Sequence, residues 1–156
     1  MGSIRITRLP APSADPSLLG QIFDYSDAFD VRVPRPDSRT AEQWARCALE
    51  QAPTPMRRAV LLIHRRVLRL RLEPVGRPDN VLGWHVRSSQ PDQIELEASG
   101  PLMRAVIIGR RTAPVATEVR TFVFYRRRLA AAVWALVGPL HRRVAPYLLK
   151  RGARSA

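Results

Sequence analysis

Residues 117–126 read TEVRTFVFYR, and after two more arginines residues 129–150 read LAAAVWALVGPLHRRVAPYLLK. The first stretch alternates. Val119, Thr121, Val123 and Tyr125 fall on one side of a strand, and Phe122 and Phe124 fall on the other, among Glu118, Arg120 and Arg126. The second stretch repeats at steps of three and four. Ala130, Trp134, Val137, His141, Val144 and Leu148 make one stripe along a helix. An apolar stripe must be covered, and a sheet built next to it in sequence is the nearest cover. Gly138-Pro139 and Pro146 predict a kink near Val137 or Gly138, because proline removes a helical hydrogen bond and crowds the preceding turn.

Working upstream, the same period of two recurs. In residues 82–88, Leu82, Trp84 and Val86 share a face opposite His85 and Arg87. In residues 93–98, Ile94, Leu96 and Ala98 face in, and Glu95 and Glu97 face out. Residues 102–108 are apolar on both faces except at Arg104, as in a central strand, and residues 110–116 read as a turn. Thr40 is placed as the N-cap of a helix over 41–51, with Trp44, Cys47 and Ala48 on one face. Pro53 and Pro55 separate it from a second helix over 55–70 that carries Val60, Leu61, Ile63, Val67, Leu68 and Leu70. Residues 74–80 are a loop by composition. Phe29, Val31 and Val33 alternate as a strand ended by Pro34, and Ile4, Ile6 and Leu9 suit an edge strand. Asp24, Asp27 and Asp30 are read as turn and cap residues.

The bulk properties bound the classes. A chain of 156 residues with 46% hydrophobic content suits one domain with its own core. The reading is an extended arm at 1–17, one domain at 18–152 and a basic tail at 153–156. Cys47 is the only cysteine, so no internal disulfide can form, and a thiol among apolar neighbours is read as a small core residue. The start lacks the apolar core of a signal peptide, and the longest apolar run, 129–137, is far below the ~20 residues a membrane span needs. The expected location is cytoplasmic or peripheral to a membrane.

The net charge is +13, and of 26 basic residues only Lys150 is a lysine. Such arginine bias, with abundant alanine and proline, fits GC-rich coding. The charge is also lopsided. Residues 1–98 hold 14 basic and 12 acidic groups; residues 99–156 hold 12 basic groups and only Glu118 as an acid. A one-sided positive field favours anionic partners.

An order of strand, helix pair, antiparallel strands and long closing helix resembles the START-like helix-grip superfamily of polyketide cyclases and lipid-transfer domains. A bacterial branch of it is the nearer resemblance. It is carried by Asp24-Tyr25-Ser26-Asp27-Ala28-Phe29, by Gly83-Trp84, and by Gly138-Pro139-Leu140-His141-Arg142, and it covers roughly residues 18–152. The resemblance implies an α+β fold, a curved antiparallel sheet gripping a long C-terminal helix, with a helix pair inserted after the first strand. It also implies a small apolar or amphipathic ligand between sheet and helix, bound, transported or sequestered, with catalysis only in some members. The family places six strands between the helix pair and the last helix; the sequence shows four.

The expected ligand-binding residues are Trp84, Val86, Leu96, Met103, Thr121, Val123, Tyr125, Trp134, Val137 and His141, since apolar walls with a few polar tips make up most ligand pockets. The same pattern equally describes a filled core. His141 is the sharpest candidate to orient a ligand or act as a base, against a surface or core histidine. The alternative function is a basic module that docks on anionic lipids or a protein partner through Arg57, Arg58, Arg65, Arg66, Arg126, Arg127 and Arg128. Nucleic acid is disfavoured, because no recognised binding module fits. No catalytic residues, cofactor or metal are assigned: His64, His85 and His141 lie in no metal motif, and GxSxG, P-loop and GxGxxG patterns are absent. The sequence does not fix the oligomeric state.

Overall fold

Each alternating stretch becomes a strand of one curved, seven-stranded antiparallel sheet. The computed structural model describes residues 2–155. Its strands are β1 (Arg5–Leu9), β2 (Tyr25–Arg32), β3 (Asn80–Val81), β4 (Trp84–Gln90), β5 (Gln93–Ser99), β6 (Met103–Ala113) and β7 (Ala116–Tyr125). Their order across the sheet is β1-β2-β7-β6-β5-β4-β3. The last strand therefore lies against β2, and Asp27 stands opposite Thr121. The helices are α1 (Ala41–Leu49), α2 (Thr54–Leu62) and α3 (Arg128–Arg154). The helix pair follows the second strand, because residues 5–9 pair with β2 as a separate edge strand.

Three segments differ from their expected form. Residues 82 and 83 are not strand: Leu82 and Gly83 have φ of 51° and 83° and form the two-residue turn between β3 and β4. A side chain at Gly83 would put its Cβ 2.8 Å from the carbonyl oxygen of Glu73. The expected turn at 110–116 shrinks to Pro114-Val115, because Arg110 and Arg111 stay in the ladder and find anionic or carbonyl partners. The second helix ends its α-helical run at Leu62 and passes into a π turn over Ile63–Val67, closed by Leu68 N–H to Ile63 O at 2.9 Å. Arg69, with φ of 57°, then reverses the chain, which lets Leu68 and Leu70 both reach the core.

α3 runs through Pro139 and Pro146 as one helix of 27 residues, as its stripe predicts. Its length buries Ala130, Trp134, Leu148, Leu149 and Ala153 against the sheet and α1. α1 begins with the expected cap: the Thr40 hydroxyl accepts from Gln43 N–H, and the Gln43 side chain accepts from Thr40 N–H. Gly152 lets the end of α3 press on α1, since a Cβ there would meet Ala48 Cα and Cβ at 2.7 Å.

The other face of the sheet is covered by the connection from β1 to β2. Leu18 and Phe23 pack on Val106, Ile108, Phe122 and Phe124, with the Phe23 and Phe122 rings 4.9 Å apart. The buried Asp15 carboxylate pins this strap, accepting from Arg110 at 2.5 and 2.6 Å and from Arg120 at 3.1 Å. Burial pushes Asp15 up in pKa, but these arginines and Ser17 N–H hold it below the ordinary carboxylate value.

Candidate functional site

Between the concave side of the sheet and the three helices lies a cavity of about 150 Å³. That is roughly ten times the ~10–15 Å³ needed for one water. Its walls are mostly apolar: Phe29, Ile94, Leu96, Ile107, Val119 and Val123 from the sheet, Trp44 and Leu49 from α1, Val60 from α2, Ile63 and Leu68 beyond it, and Trp134, Val137, Leu140, Val144 and Leu148 from α3. His64, Thr117, Thr121 and His141 add polar groups.

Of the ten expected ligand-binding residues, Trp84, Leu96, Thr121, Val123, Trp134, Val137 and His141 line this space. Val86, Met103 and Tyr125 do not. They pack in the same apolar cluster, outside the wall.

Behind the part of the wall made by Thr121, Trp134 and His141, two stretches far apart in sequence meet. Alternation along β2 turns Tyr25, Asp27 and Phe29 toward the helices, and α3 brings His141 and Arg142 down to them. Tyr25 Oη donates to Asp27 Oδ2 at 2.7 Å, and His141 Nε2 lies 2.9 Å from the same oxygen. That second contact is close but off the direction of the ring N–H, so His141 Nε2 makes no well-formed hydrogen bond among the described residues. Asp27 Oδ1 and Trp134 Nε1 also find no hydrogen-bond partner there, although both are buried. The Trp134 ring sits 5.0 Å from Tyr25 and 5.5 Å from His141. Gly138 makes the space for it: a Cβ there would lie 3.2 Å from both Trp134 Nε1 and Arg142 Nη1.

Burial raises the Asp27 pKa, but His141, then Tyr25 and Thr121, more than offset it, and the carboxyl is held below its usual range. Burial and the Asp27 charge push Tyr25 up to about 12, against the opposing pull of Arg142. Asp27 was expected in a turn. It stands instead mid-strand, 1% exposed. The sign was present in the sequence: a carboxylate two residues from Tyr25 and from Phe29 shares their face. Asp24 and Asp30 do have local surface roles, accepting from Tyr125 N–H and from Arg32.

His64 is a second polar group that the sequence did not single out. Trp84 Nε1–H donates to His64 Nδ1 at 3.3 Å. An indole nitrogen can only donate, so the neutral ring carries its hydrogen on Nε2. His64 is half-buried and lines the cavity. Burial first, and then the nearby His141, lowers its pKa to about 4.

Of the expected anion contacts, Arg58, Arg65, Arg66, Arg127 and Arg128 are exposed and have no carboxylate partner among the described residues. Arg57 donates to Glu50 O at 2.7 Å and Arg126 to Gly100 O at 3.3 Å. No cluster of three His, Cys, Asp or Glu side chains among the described residues is arranged to hold a metal ion. No described helix is long and apolar enough to cross a membrane. No protein-family model matches the chain, and neither a curated protein nor a solved structure matches it.

Proposed function

We propose that the chain is a helix-grip binding protein of START-like type that takes a small apolar or amphipathic molecule into the cavity beneath α3. One observation carries this reading: a largely apolar cavity of about 150 Å³ has Trp134 and His141 in its wall, and their buried Nε1 and Nε2 find no hydrogen-bond partner among the described residues. Packed interiors rarely leave such space, and buried polar atoms are rarely left without partners. Native mass spectrometry of the purified protein tests it by seeking a retained small molecule. Trp134→Arg fills and charges the wall, and it is expected to abolish uptake of an apolar probe. Arg127→Ala, at the exposed N-cap of α3, leaves uptake unchanged. Equal uptake by the parent and Trp134→Arg overturns the reading.

A second reading rests on α2. No residue of α2 or of the π turn after it is buried, and residues 51–72 carry six arginines and no acid. Leu62 at the end of α2 and Leu136 and Leu140 on α3 are exposed. Basic side chains beside exposed leucines suit an anionic bilayer surface. Binding to phosphatidylserine vesicles that weakens steeply with salt supports this reading; equal binding to neutral vesicles removes it.

A further inference from the structure

The volume of the cavity and the chemistry of its wall together limit what it can hold. Pockets that enclose drug-sized molecules run from ~300 Å³ upward. The space beneath α3 is about 150 Å³, half of that lower bound. An apolar cavity of ~150 Å³ takes benzene or xenon. The wall carries no Asp, Glu, Lys or Arg side chain among the described residues, and its titratable groups are His64 and His141. Burial, with His141 nearby, lowers the His64 pKa to about 4, so that ring is neutral near pH 7. His141 Nε2 lies 2.9 Å from Asp27 Oδ2, so a positive charge on that ring is answered from behind the wall. An ionised head group inside the cavity therefore finds no free counter-charge, and burying an unpaired charge is costly.

We propose that the cavity is sized for one ring, so that its ligand is a neutral single-ring molecule, such as a substituted benzene, rather than a fatty acid or another long-chain lipid. This names the ligand class of the cavity-binding reading above and rests on it. The ring lies between Ile107, Val119 and Val123 on the sheet and Trp134 and Val137 on α3, all of which line the space. A long chain must leave much of its length in water, where its methylenes gain none of the ~0.8 kcal/mol that each contributes on burial.

The test follows intermolecular NOEs between benzene and the methyl groups of the protein at pH 7.5, with toluene, 1-decanol and decanoate as competitors. Benzene is expected to show NOEs to the methyls of Ile107, Val123 and Val137. Toluene is expected to displace it, and 1-decanol and decanoate to do so at least about tenfold more weakly than toluene. A chain that binds only at the surface leaves the benzene NOEs in place, so the competition reads the cavity alone. Displacement by either chain at less than that tenfold disadvantage overturns the one-ring limit and leaves the cavity reading intact. So do NOEs from a chain to these methyls when benzene shows none. No NOE to these methyls from benzene or from either chain overturns both.

Discussion

Lowering the pH from 7.5 to 5.0 protonates His64 in the unfolded chain and leaves the folded chain's His64 almost wholly neutral. In the fold, burial and His141 hold His64 at about 4, against 6.5 for a free imidazole. The folded pKa is depressed, so the unfolded state takes up the proton first and stability falls as pH drops from about 6.5 toward 4. At ~1.4 kcal/mol for each pH unit below 6.5, the loss by pH 5.0 is about 2 kcal/mol. The carboxylates held low, Asp15, Asp27, Asp37 and Glu42, stabilise the fold above their unfolded values near 4 and lose that contribution only below them, outside this window. His64→Gln removes the titration and keeps an acceptor for Trp84 Nε1. Urea unfolding of both proteins at the two pH values isolates the effect, because His85 and His141 are common to both. The parent is expected to lose about 2 kcal/mol more than the variant. Equal losses would refute the argument that His64 sits in a water-poor cavity wall.

Two further outcomes follow from packing. Gly152→Ala forces a methyl into Ala48, whose backbone and Cβ cannot yield, and is expected to cost about 1–3 kcal/mol in thermal unfolding; an unchanged melting temperature would mean α1 and α3 do not press together there. Asp15→Ala leaves Arg110 and Arg120 without their shared carboxylate. Because both arginines are about a quarter exposed, the expected loss is nearer ~2 kcal/mol than the 3–5 of a fully buried pair, with earlier proteolysis between residues 10 and 24.

The elements whose apolar residues contact one large surface were legible. β5, β7, α1 and α3 follow the period of their side chains, and Thr40 caps α1 where its hydroxyl and the later Gln43 predict. The π turn was not legible, since Ile63 to Val67 continues a helical pattern and only the demand to bury both Leu68 and Leu70 turns the chain. The short hairpin at Leu82-Gly83 was hidden for a similar reason, because Leu82 is apolar and fully buried while holding a turn conformation. In the candidate site, Trp134, Thr121, Val123 and His141 were visible as an inward stripe. Asp27 and His64 were passed over, because a carboxylate reads as polar surface and a lone histidine has no pattern.

The chain's sequence determined its fold class, since periods of two and of three to four are local properties of strands and helices. It also placed the imbalance of charge. Only the tertiary structure decided that β7 returns beside β2, that residues 10–24 cover the outer face, and that Asp27 meets His141. These are contacts between residues about a hundred positions apart, and no local spacing encodes them. Whether the inward stripe filled the interior or left a space was decided the same way, because the volume between a sheet and a helix depends on how far apart α1 and the strands hold α3.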